Sequence, residues 1–132
     1  MNQKEVFNSI IAGLGCFFTY AFGGWDKCLM ALAFFMAIDY ATGVFSGYVQ
    51  KKLSSDIGRK VIFKKLTIIF VVIMAVVLDR LINNGTWVFR TLVCYFYIGN
   101  EAISIFENAA KMGIPVPKKL VNAMEQLKKE EE

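Results

Sequence analysis

The sequence predicts an all-α integral membrane protein, and three observations predict it. Of the 132 residues, 56% are hydrophobic, while the 20% that are charged stay out of long stretches. Several uncharged runs approach the roughly 20 residues that a helix needs to cross the hydrocarbon core of a bilayer. The 15 Lys and Arg outnumber the 11 Asp and Glu, and they cluster between those runs. In lipid the backbone must be satisfied within each segment, so runs of this length are helices and not strands of an open sheet.

The first segment covers about residues 6–25 and carries no charge from Val6 to Trp25. Asp26 and Lys27 mark a short connection. The second segment, 28–49, is interrupted only by Asp39. A basic stretch from Gln50 to Lys65 follows. The third segment, 66–82, is uncharged through Leu78 and then holds Asp79 and Arg80. Asn83-Asn84-Gly85 is turn chemistry. The fourth segment, 86–110, is apolar but carries Arg90, Asn100, Glu101, Glu107 and Asn108, and Gly113, Pro115 and Pro117 end it. Residues 1–110 are therefore expected to form a transmembrane domain of about four helices in antiparallel hairpins. Residues 111–132 form a charged tail, with a short amphipathic face of Leu120, Val121, Met124 and Leu127 between lysines. Three crossings, with the first segment lying on the membrane surface, is the alternative count. A cleaved signal peptide fits that segment less well, since the run is long and lacks a small-x-small cleavage site.

Lysine and arginine counts set the orientation. Lys4, the middle cluster (Lys51, Lys52, Arg59, Lys60, Lys64, Lys65) and the tail (Lys111, Lys118, Lys119, Lys128, Lys129) fall on one side. The hairpin tips hold only Lys27, with Arg80 and Arg90 near the outer helix ends. The positive-inside rule then predicts that the chain spans the cytoplasmic membrane with both termini in the cytoplasm. The basic loop serves as that orientation signal and touches anionic lipid.

Composition also excludes functions. There is no histidine, and the three cysteines (Cys16, Cys28, Cys94) are dispersed in or beside apolar runs, which is neither a disulfide framework nor a metal site. No glycine-rich phosphate loop or serine with a neighbouring base is present. No enzyme activity, metal, cofactor or nucleic-acid partner is expected.

The polar residues inside the apolar segments are the candidate site. Asp39 near a bilayer centre costs roughly 2.5–3.5 kcal/mol on the insertion scale, and each Leu, Ile, Phe or Val returns about 0.3–0.6. The apolar residues of the second segment bring it near break-even, provided that the carboxylate faces protein or water. Gly43 and Gly47 form a small-residue pair at a four-residue spacing, and Ala33, Ala37 and Ala41 form a second row, either of which lets helices approach closely. Contact within one chain and contact between subunits both fit. On the fourth segment Arg90, Cys94, Tyr97, Glu101, Ser104 and Asn108 recur in steps of four and three, so they share one helix stripe flanked by Asn100 and Glu107. That stripe either lines water at a pore or subunit seam, or closes as a buried ion-pair network. Depth makes Asp79 and Arg90 a plausible pair and puts Glu107 within reach of Lys60–Lys65. Glu101 and Asp39 have no evident cation at their own depth, which makes them functional-site candidates.

Asp39-Tyr40-Ala41-Thr42-Gly43, then Lys52-Leu53-Ser54-Ser55 with Gly58 and Lys64-Lys65, resembles the toxin-secretion/phage-lysis holin family. So do Asp79 at the end of the third segment, the run from Gly99 to Asn108, and Gly113-Ile114-Pro115-Val116-Pro117. The resemblance covers roughly residues 25–127. It implies a protein that homo-oligomerises in the cytoplasmic membrane and opens non-specific holes, releasing an endolysin to the cell wall or a large toxin. A small ion or proton channel, with Asp39 and Glu101 as its titrating groups, is the competing expectation. A non-conducting, antiholin-like membrane partner is the other.

Overall fold

A computed structural model describes residues 1–131; the side chains of Met124, Glu125 and 127–131 lie outside the described residues, and with them the expected tail contacts of Met124 and Leu127. The elements are α1 (Gln3–Phe22), α2 (Lys27–Val49), α3 (Ser55–Ile82), α4 (Phe89–Lys111) and α5 (Lys118–Glu131). There is no strand among the described residues.

Local chemistry sets these limits. Helix α1 opens on a capping box: Asn2 Oδ1 accepts the Glu5 N–H at 2.9 Å, and Glu5 Oε2 accepts the Asn2 N–H at 3.0 Å. It closes at Gly23, whose φ of 75° is cheap only without a Cβ. Asp26 caps α2 by accepting the Leu29 N–H at 3.0 Å, and Ser54 caps α3 by accepting the Asp56 N–H at 3.2 Å.

The Ser54 cap corrects the expected third segment. The helix starts at Ser55 and not at Leu66, so of the basic stretch only Lys51 and Lys52 lie in the connection. Arg59, Lys60, Lys64 and Lys65 ride the first turns of α3, where straight-chain lysine and arginine are good helix formers.

Helix α4 packs chiefly on α2 and secondarily on α3, while α1 touches the bundle mainly through α3. The buried core is thin: Leu29, Leu32 and Met36 from α2, Val72, Ala75 and Val76 from α3, and Cys94 from α4. Large apolar side chains instead cover the outside. Phe17, Phe34, Phe63, Phe70, Leu92 and Phe96 are all exposed, and α1 buries no residue at all. A soluble monomer does not present apolar surface on this scale, whereas lipid-facing helices do.

Among the described residues three helices, α1, α2 and α3, are long and apolar enough to cross a membrane. At 1.5 Å per residue the shortest, α1, is about 30 Å long, the thickness of a bilayer core. Helix α4 is not among the three, because Arg90, Glu101, Glu107 and Lys111 interrupt it. The sequence placed its doubt about a fourth crossing on the first segment, and the shortfall falls on α4 instead.

Candidate functional site

The interior face of α3 organises the polar groups. Lys65, Val72 and Asp79 recur every seven residues, with Ile68, Ile69, Ala75 and Val76 between them, so one stripe is apolar in the middle and charged at both ends. Those ends lie about 21 Å apart along the helix. Each gathers a separate cluster.

At one end Asp79 is fully buried. Its Oδ2 accepts the backbone N–H of Arg90 at 2.8 Å and its Oδ1 accepts that of Phe89 at 2.9 Å, while Asn83 Nδ2 donates to Oδ1 at 2.8 Å. Val88 at the start of α4 supplies no capping side chain of its own. Asp79 therefore caps α4 from the preceding helix.

The expected Asp79–Arg90 pair is corrected by this geometry: the two residues meet, but through the Arg90 main chain. The Arg90 guanidinium, only 2% exposed, turns away to the α1–α2 connection. It donates to both carboxylate oxygens of Asp26 at 2.7 and 3.2 Å, to the Phe22 carbonyl at 2.7 Å and to the Gly24 carbonyl at 3.0 Å. A planar fork of donors suits this mixed set of a carboxylate and two carbonyls. Asp26 lies outside the apolar spans, and the Arg90 hydrogen bond holds its carboxyl below the usual carboxylate range. With a folded value below the unfolded one, the contribution is present at neutral pH and is lost as pH falls through the depressed value. Arg80 completes this end, donating to the Tyr20 carbonyl at 2.5 Å and stacking its guanidinium 3.8 Å from the Tyr20 ring centre.

At the other end Lys65 Nζ donates to Asp39 Oδ2 and to Glu101 Oε2, each at 2.7 Å. The side chains are 13%, 11% and 5% exposed for Lys65, Asp39 and Glu101, so all three charges are largely withdrawn from the surface. Asn108 Nδ2 donates to Asp39 Oδ1 at 3.0 Å, to the Asp39 carbonyl at 3.1 Å and to Thr42 Oγ1 at 2.9 Å. The two carboxylates that lacked an evident cation thus share one, at the N-terminal end of the apolar run of α3. Lys65 belongs to the basic cluster expected on the cytoplasmic side, yet its place seven residues before Val72 and fourteen before Asp79 puts it on the interior face of α3.

The α4 stripe is turned inward. Arg90, Cys94 and Glu101 are buried, Tyr97, Ser104, Glu107 and Asn108 are half-buried, and Asn100 is exposed. Within one chain the buried part of the stripe meets α2, α3 and the α1–α2 connection. The glycine pair is also used inside the chain: a Cβ on Gly43 would lie 3.6 Å from Asn108 Nδ2, and one on Gly47 would lie 3.5 Å from Leu53 Cδ1. Ala33, Ala37 and Ala41 are exposed.

An apolar helix bundle that buries Asp79, Arg90 and Glu101 within it defines a small multi-helix membrane protein. Within that class the chain belongs to the Bacteriophage holin family, whose model matches residues 16–129. That match takes in the end of α1, which carries no quoted motif. A 14.9 kDa protein in the nagH 3' region of Clostridium perfringens is 53% identical over 117 residues, covering 89% of each chain. An uncharacterized protein of Clostridium acetobutylicum is 44% identical over 119 residues, covering 90% of this chain and 95% of its own. YqxH of Bacillus subtilis is 38% identical over 114 residues, covering 86% and 79%. No solved structure matches.

Proposed function

We propose that this protein is a holin of the cytoplasmic membrane, with both termini in the cytoplasm, that self-associates and opens non-specific holes for an endolysin or a large toxin. The observation that carries this reading is the Lys65–Asp39–Glu101 network inside an apolar bundle of a holin-family chain. Polar surface held inside a lipid-facing bundle is a reserve that can face water once subunits rearrange, and a folded subunit keeps it sealed until then. The inward polar face of α4 lets that helix cross beside α2 and α3 as a fourth span, since its outer face carries Leu92, Tyr95 and Phe96.

Co-expression in a bacterium with a cytoplasmic muralytic enzyme tests the reading. Abrupt lysis after a delay is expected, and ion leakage without enzyme release would overturn it in favour of a selective channel. The completeness of the sealed network supports a second reading, a non-conducting antiholin-like partner. In that case the chain alone never lyses, and it delays lysis by a separate holin.

Cys94 reports the rearrangement. It is fully buried and sits on the α4 stripe, so a membrane-impermeant maleimide is expected to label it only after lysis is triggered. Cys16, exposed on the lipid-facing α1, stays unlabelled before and after. Equal protection of both after triggering would mean that the stripe never meets water.

Self-association is assigned to the exposed alanine row. Ala37→Leu is expected to shift lysis timing while leaving insertion and helix content unchanged, read by lysis curves and circular dichroism. Unchanged timing would remove that face from the mechanism.

A further inference from the structure

We infer that the cleft between the C-terminal ends of α2 and α4 and the first turns of α3 is a binding site for a single anionic phospholipid. The cleft has a volume of about 730 Å³, within the roughly 300–1,000 Å³ range of small-molecule sites. Its charged rim is cationic: Lys52 from the α2–α3 connection, Arg59 from α3 and Lys111 from the end of α4. Arg59 is also held by Asp56. The one carboxylate in the lining is Asp39, and Lys65 and Asn108 already satisfy it. An anion entering the cleft therefore meets cations at the rim and a floor carboxylate already engaged by Lys65 and Asn108.

The remaining walls explain why the anion is a lipid. Leu53, Ile57 and Ile62 line the cleft and are themselves 44–58% exposed, so its edge is apolar and continuous with the outer surface of the bundle. Gly47 and Gly58 thin the walls. A Cβ on Gly47 would sit 3.5 Å from Leu53, and one on Gly58 would sit 3.6 Å from the Tyr40 hydroxyl. Cations beside apolar side chains at one end of the bundle match the two halves of a phospholipid, whereas a soluble anion has no use for the apolar edge. The site needs only the membrane placement of the chain and not its pore activity, so the two stand or fall separately.

Quenching of tryptophan by brominated lipid tests the site in full-length protein reconstituted in bilayers. Leu53→Trp places a reporter at the cleft edge, with Ile57→Trp as a second reporter should the first disturb helix content. The native Trp25 and Trp87 lie at the opposite end of the bundle and report background quenching in the parent protein. Brominated phosphatidylglycerol is expected to quench the reporter at about 25-fold lower mole fraction than brominated phosphatidylcholine, given about fivefold for each of Lys52 and Lys111, with Arg59 engaged by Asp56. Adding Lys52→Gln, Arg59→Gln and Lys111→Gln removes that preference and leaves background quenching unchanged. Equal quenching by the two lipids, or a preference that survives loss of the three cations, overturns the site. Full relief of quenching by soluble glycerol phosphate also overturns it, because the cleft would then hold any small anion.

Discussion

Replacing Lys65 with methionine is expected to destabilise the bundle by about 3–5 kcal/mol, the range for a buried ion pair that loses one partner. The substitution keeps the aliphatic stem and removes the only charge that separates Asp39 from Glu101. Two carboxylates are then left facing each other in a largely dehydrated space, and both must be protonated, hydrated or driven apart. The fraction folded, followed by helix content against denaturing detergent in mild micelles, measures the loss. Adding Asp39→Asn and Glu101→Gln to Lys65→Met is expected to recover most of it, since neutral amides of the same shape leave no orphan charge. A Lys65→Met protein within about 1 kcal/mol of the parent would show that water already reaches the network, because exposed pairs are worth that little.

The charge inventory and the apolar runs made the fold class legible, because both report directly on the solvent that each segment meets. The α4 stripe was legible for the same reason: six polar residues at helical spacing must share a face. Which way the face points was not, since periodicity fixes a stripe and says nothing of its neighbour. Lys65 was hidden by its company. It closes a run of basic residues, and only the Ser54 cap moves the helix start far enough back to carry it inward. Asp26 was hidden by its position, since an aspartate before an apolar run reads as a helix cap, a role it also fills. Its second partner, Arg90, lies 64 residues on, at a separation that local spacing cannot reveal.

The same blindness to long-range geometry explains Asp79, whose role rests on a second large effect. Asp79→Ala removes the acceptor for two main-chain N–H groups that open α4, inside a site with no exposure. A lost helix cap costs about 0.5–2 kcal/mol, and each buried unsatisfied donor adds about 1–3, so a loss of about 3 kcal/mol is expected. Hydrogen exchange is the discriminating measurement. The amides of Phe89, Arg90 and Thr91 should lose protection first, ahead of the rest of α4, because the helix is released from its N-terminus. Asp79→Asn is expected to cost less than half as much, since its amide oxygen can still accept one of the two N–H groups. Had Asp79 served as the side-chain ion partner of Arg90, the asparagine and alanine variants would be about equally damaging, for both erase the charge. A clear gap between them, with Arg90 still donating to Asp26, is what a cap lent by one helix to the next requires.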